Sequence, residues 1–131
     1  MEKLSDVVRN ILADALGDLY NGGELKIYTG SQPATPTTGP TGTLLATITL
    51  PSPAFAASVA GVKSKAGVWS TLGLADGDAG WFRMKTSGAT DPIDGSVGAT
   101  GSGAEIEMDS VAIETGQTVT VSSYTITQPA S

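Results

Sequence analysis

Asp76 and Asp78 stand two apart in "ADGDAG", with Gly77 between them, a spacing that resembles the start of a calcium loop. Such a loop draws further oxygen ligands and a bidentate glutamate from fixed downstream offsets, and the sequence after Asp78 supplies neither. A solvated turn accounts for both carboxylates. Asp91 and Asp94 in "DPIDG" have the look of a paired-carboxylate site, in which one acid and one base hydrolyse a glycoside. The proline and glycine beside them mark a turn, which explains both aspartates without chemistry. "GSVGATGSG" is glycine-rich, yet it lacks the lysine of a phosphate loop, and no helix follows to hold an anion at its N-terminus. The chain has no histidine and no cysteine. That removes every His-dependent triad, thiol nucleophile, zinc–thiolate site and disulfide. No serine is followed three residues later by lysine. Trp69 and Trp81 could stack on a sugar, but in a chain only 5% aromatic they are expected as core anchors. The expectation is a protein without catalytic, cofactor-binding or metal-binding residues.

The 131 residues suffice for one domain with a core built mainly from Val, Leu, Ile and Ala, spanning 1–131. A net charge of −6 disfavours nucleic acid, whose phosphates require a cationic face. It disfavours an anionic membrane surface for the same reason. Asp6, Arg9, Asn10, Asp14 and Asp18 interrupt the first twenty residues, so these do not read as a secretory signal. No apolar run reaches the length of a membrane span, and a soluble chain is expected.

The elements that would position any surface follow from periodicity. "LSDVVRNILADALGDLY" predicts an amphipathic helix over 4–20. Leu4, Val7, Val8, Ile11, Leu12, Ala15, Leu16 and Leu19 recur at three- and four-residue steps and so share one stripe. Ser5 or Asp6 is placed to cap it, and "NGG" at 21–23 to end it. A lone helix of this length is marginal in water, so the stripe must dock, either on its own sheet or on another subunit. From residue 24 the period becomes two. "ELKIYT" sets Leu25 and Ile27 against Glu24, Lys26 and Tyr28; "TLLATITL" sets Leu44, Ala46, Ile48 and Leu50 against threonines; "WFRMKTS" sets Phe82 and Met84 against Trp81, Arg83 and Lys85. "DGDAG" at 76–80 reads as a turn. "AEIEMDSVAI" places Ile106 and Met108 on one face, and "TVTVSSYTIT" slips its parity at Ser122–Ser123, the mark of a bulge. Six to eight short strands over 24–127 predict an all-β, antiparallel β-sandwich, jelly-roll-like, behind one N-terminal helix.

"YTGSQPATPTTGPTG" interrupts the strands at 28–42, and no Asp, Glu, Lys or Arg occurs between Lys26 and Lys63. An uncharged Pro/Thr/Gly arm over 29–42 can follow a neighbour's surface without burying an unpaired charge. Its prolines reduce the entropy lost on ordering. An ordinary surface loop is the plainer reading of the same residues.

"NGGELKIYTG", "GTLLATITLPSPAF", "GWFRMKTSG", "DGSVG" and "AIETGQTVTVSSYTIT", in this order and spacing, resemble a family of small proteins encoded by tailed bacteriophages. The resemblance runs from about residue 8 to residue 127. It implies a virion structural protein, concretely a decoration or cement protein on the outer surface of the capsid, made in the bacterial host cytoplasm. Such proteins often have a jelly-roll or related β-fold and act as dimers or trimers over seams between major capsid subunits. The family offers no catalytic residues to carry over. On this reading the major capsid protein is the partner, with Leu4, Val8, Ile11 and Leu12 of the helix and Pro33, Pro36 and Pro40 of the arm at or near the contacts. A neck, collar or tail component is the second virion role, and a carbohydrate-binding or adhesion module is the reading from a different class.

Overall fold

A computed structural model describes residues 2–130. One helix, α1 (Asp6–Asp18), precedes nine strands: β1 (Glu24–Thr29), β2 (Leu44–Thr49), β3 (Val62–Ser64), β4 (Ser70–Leu72), β5 (Gly77–Lys85), β6 (Ile93–Ala99), β7 (Ile106–Met108), β8 (Ala112–Ile113) and β9 (Thr118–Thr127). The strands form a single curled sheet in the order β2-β1-β5-β6-β7-β9-β3, with β4 paired to β9 and β8 to β5. The chain is mainly β, but the sheet makes a half-barrel and not a two-sheet sandwich or jelly roll. Nor is it wholly antiparallel, because β6 and β7 run parallel.

That parallel pair is the decisive departure. Parallel neighbours ordinarily need a crossover of a dozen residues or more, yet here six residues, 100–105, connect β6 to β7. Side-chain carboxylates hold the tight return. Glu107 accepts from the Gly101 and Gly103 amides, and Glu105 accepts from the amide and hydroxyl of Ser96. Gly101 and Gly103 have φ of 87° and 84°, a region that glycine enters without steric cost.

One concave face carries the core. Leu25 and Ile27 of β1, Phe82 and Met84 of β5, Ile106 and Met108 of β7, and Val119 and Val121 of β9 are all buried there, as the period-two pattern requires. Phe55, Trp69, Phe82 and Tyr124 pack edge-on or tilted, with Tyr124 5.3 Å from Phe82 and 6.0 Å from Trp69 between ring centroids. Three bulges reset the parity; one lies in β5, where Tyr28 faces Trp81 and Thr29 faces Ala79, leaving Gly80 as the extra residue. Opposite β7, Glu107 pairs with Ser123 and Met108 with Val121, so Ser122 is the extra residue, and its hydroxyl bonds the Glu107 carbonyl. In β2, Ile27 faces Ala46 and Tyr28 faces Leu44. Leu45 is skipped and turns inward, so the buried set is Leu45, Ala46, Ile48 and Leu50, with Leu44 only half-buried. The Leu74 amide donates to the Leu45 carbonyl, drawing the β2 edge toward the β4 end of the sheet. Residues 77–80, expected as a turn, are extended, because Gly77 and Asp78 open β5 and pair with Ile113 and Ala112.

Candidate interaction surfaces

α1 starts where Ser5 accepts from the Val8 amide and ends near Leu19, so it is shorter at both ends than the stripe suggested. Its orientation is the reverse of an ordinary amphipathic helix. The face turned to the protein carries Arg9, Asn10, Ala13, Asp14 and Gly17. Asn10 accepts from the Gly61 amide at 2.8 Å, and Asp14 accepts from the Ser58 amide at 3.0 Å and from Lys63 at 2.9 Å. Arg9 Nε donates to the Gln128 carbonyl at 2.9 Å, and the Ser58 hydroxyl donates to the Asn10 carbonyl. The Lys63 side chain, on β3, is buried and runs across Gly17, where a Cβ would stand 2.5 Å from its Cε. The Lys63 ammonium, followed by the Ser58 amide, holds the Asp14 carboxyl below its ordinary range.

Apolar side chains of the same helix therefore face away from the protein. Val7 is 69% exposed, Ile11 62%, Leu19 50%, Leu12 44% and Val8 41%. The predicted stripe divides: Leu16 packs partly against the core, and Leu4, half-buried, lies before the helix with its amide bonded to the Ala130 carbonyl. Its own sheet is not what the stripe covers.

The arm proves to be the loop that closes the β1–β2 hairpin. Its base is stapled: the Thr29 amide donates to the Thr43 carbonyl, the Thr43 amide donates to the Thr29 hydroxyl, and Trp81 Nε1 donates to the Thr41 carbonyl at 3.3 Å. Beyond the base the loop stands in solvent. Pro36 and Pro40 are exposed and Pro33 is half-buried. Only threonine hydroxyls (Thr35 with Thr37 and Thr38) and a Thr38 amide bond to the Thr35 carbonyl shape its tip.

Pro40 also walls a shallow cleft of about 90 Å³ on the convex face of the sheet, with Glu24, Lys26, Tyr28, Arg83 and Lys85. Tyr28 stacks on Trp81 at 4.6 Å, and the Arg83 guanidinium lies over the same indole. Arg83 grips Asp94 through two bonds of 2.7 and 2.9 Å, with the Asp94 side chain fully buried. Asp94 is thus committed to a structural ion pair. Asp91 bonds Thr90 through its side chain and accepts the Tyr20 hydroxyl on its carbonyl at 2.7 Å. The two aspartates do not act as a pair. Asp76 accepts from the amide and hydroxyl of Thr115 and ties two loops together. No cluster of three potential metal-ligating side chains occurs among the described residues. Trp69 and Trp81 have no exposed surface, so neither offers a face to a sugar.

Reasoning from sequence missed the polar latch of Asn10, Asp14, Ser58, Gly61 and Lys63. One signal was present: Gly17 inside a helix, where glycine costs about 1 kcal/mol against alanine, often marks a close approach by another segment. No family model, no curated protein and no solved structure matches this chain.

Proposed function

We propose that this protein is a non-enzymatic structural component of a tailed-phage virion, a capsid decoration protein that adheres to other proteins by surface shape. The outward apolar face of α1 is the observation that carries this reading. Evolution ordinarily keeps such side chains against a core, and an exposed apolar patch of this kind marks a protein–protein contact. The arm adds a second adhesive element: an uncharged, proline-stiffened loop with a fixed base can be laid on a neighbour at little cost in entropy or desolvation. Attachment at many equivalent positions on a shell would raise the avidity of a weak single contact. The family resemblance supplies the virion and the major capsid protein as partner; the two surfaces supply the means.

Purified shells of the parent phage, stripped of this protein and titrated with it, test the reading. Saturable binding is expected, and deletion of residues 31–41 should lower occupancy while the circular dichroism spectrum stays unchanged. Equal occupancy by the deletion variant removes the arm from the account. Imaging of labelled particles completes the test: a lattice over the head supports decoration, and a ring at one vertex replaces it with a neck or tail role.

A further inference from the structure

We propose that the cleft on the convex face of the sheet, walled by Glu24, Lys26, Tyr28, Pro40, Arg83 and Lys85, receives the carboxylate of an aspartate or glutamate side chain projecting from a neighbouring protein. The proposal rests on the adhesive reading for the source of that side chain, and on the isolated chain for its test.

The register of the sheet assembles the site. β1 and β5 place Glu24 opposite Lys85, Lys26 opposite Arg83 and Tyr28 opposite Trp81 on one face. Two cations set directly across a strand pair destabilise it, and the chain offers little relief. Asp94 takes one edge of Arg83, and Glu24 stands 3.9 Å from Lys26 in a pair that water screens. Lys85 joins no ion pair among the described residues. Three of the seven Lys and Arg residues of a chain of net charge −6 thus meet at one cleft.

Two buried donors open into it. Arg83 spends Nε and Nη2 on Asp94, and neither its Nη1 nor the Tyr28 hydroxyl bonds another described residue. Yet no buried side-chain nitrogen or oxygen among the described residues lacks a partner, so both atoms touch solvent. Arg83 is 5% exposed and Tyr28 7%. Both wall the cleft, and that is where the small surface they keep opens. Burial holds the Tyr28 hydroxyl above its ordinary range, so it stays protonated and a donor through neutral pH. The ring stack on Trp81 and the Arg83–Asp94 pair fix both donors before any ligand arrives, which lowers the entropy cost of binding.

Charge and size select the ligand. Lys26, Arg83 and Lys85 against Glu24 and Asp94 leave one positive charge, which matches a carboxylate and falls short of a phosphate dianion. The guanidinium edge and the hydroxyl give that carboxylate charge-assisted bonds. The cleft holds about 90 Å³, less than the roughly 150 Å³ that takes a benzene ring. A carboxylate on a short stem fits, with Pro40 against its methylenes, and a sugar ring does not. Pro40 belongs to the neutral arm, so the site lies where that arm would meet a neighbour.

Chemical-shift titration of the full chain with N-acetyl-glutamate N-methylamide tests this. Saturable shifts are expected at the amides of 24–28, 41–42 and 83–85, with a Kd of about 1–10 mM that weakens as salt is added. Tyr28→Phe keeps the ring and removes the hydroxyl, and Lys85→Gln removes a half-exposed charge. Each should weaken binding about tenfold with an unchanged thermal midpoint, whereas Lys3→Gln, on the exposed segment before α1, should not weaken it. The glutamine analogue, inorganic phosphate and glucuronate should all bind more weakly than the glutamate probe. The absence of saturable shifts, shifts centred elsewhere, indifference to both variants, or equal or tighter binding of any of the other three probes overturns the proposal. Probe binding by a chain that ignores shells removes the virion role and keeps the cleft; shell binding without probe binding does the reverse.

Discussion

The sheet and the helix bury opposite kinds of side chain. In the half-barrel, Leu25, Ile27, Phe82 and Met84 face the core, whereas Glu24, Lys26 and Lys85 on the other face keep solvent exposure and Arg83 is buried there in its ion pair with Asp94. In α1, Asn10, Asp14 and Gly17 face inward, and Val7 and Ile11 face out. The sheet curls around its apolar face, so that face has a partner within the chain. The helix lies outside a core already filled by strand and loop residues, and it is attached by hydrogen bonds that water competes for. Apolar burial stabilises at about 25 cal/mol per Å², whereas a hydrogen bond contributes about 1 kcal/mol net. The sheet is therefore the stable unit, and the helix an appendage whose strongest surface is unspent.

Substitutions should reproduce that ranking. Phe82→Ala removes a fully buried ring from the aromatic cluster and should destabilise by about 3–5 kcal/mol, measured by chemical denaturation. Asp94→Ala leaves the Arg83 guanidinium buried without its partner and should cost a similar amount, about 3–5 kcal/mol. If Phe82→Ala costs less than the helix substitutions below, the contrast between the two regions fails.

Asn10→Ala removes the acceptor for the Gly61 amide and should cost about 1–2 kcal/mol. Its loss of hydrogen-exchange protection should be confined to α1 and the 58–63 segment. Acid should act at the same place. The Asp14 carboxyl is held below its ordinary value of 3.8 by Lys63. Its contribution is therefore complete above about pH 4 and is lost as the pH falls through the lowered folded-state value. Amide exchange at Ser58 should rise in that acidic window before the core amides respond. Uniform exchange across the molecule would make helix and sheet one cooperative unit.

Gly17→Ala sharpens the comparison further. In an ordinary helix it would stabilise by about 1 kcal/mol. Here the new methyl would meet the buried Lys63 side chain, so the gain should vanish or reverse. Val7→Ser is the smallest of the set: thermal stability of the dilute chain should change by no more than about 0.5 kcal/mol. A larger loss would mean that the outward face packs on its own sheet after all.

Much of the sheet was legible because strand faces repeat every two residues. Leu25/Ile27, Phe82/Met84 and Ile106/Met108 are all buried as their alternation predicts, and the Ser122 bulge shows as a parity slip. Leu45 was not legible, since its inward turn depends on the register with β1, a relation between distant segments. The same holds for the parallel β6–β7 return, which reads along the chain as an ordinary glycine-rich turn. Of the candidate contacts, Val8, Ile11, Leu12, Pro36 and Pro40 are exposed, whereas Leu4 and Pro33 are half-buried.

The sequence by itself determined which side chains share a face wherever the backbone runs without a bulge, as in α1, β1 and β7, because that follows from local backbone geometry. It also determined the absence of thiol and imidazole chemistry, because those groups are not encoded. Only the tertiary structure decided which face of α1 meets the protein. That choice belongs to Ser58, Gly61 and Lys63, more than forty residues away, whose amides and ammonium match the polar side of the helix. Periodicity measures how apolar a face is; the neighbours alone decide what covers it.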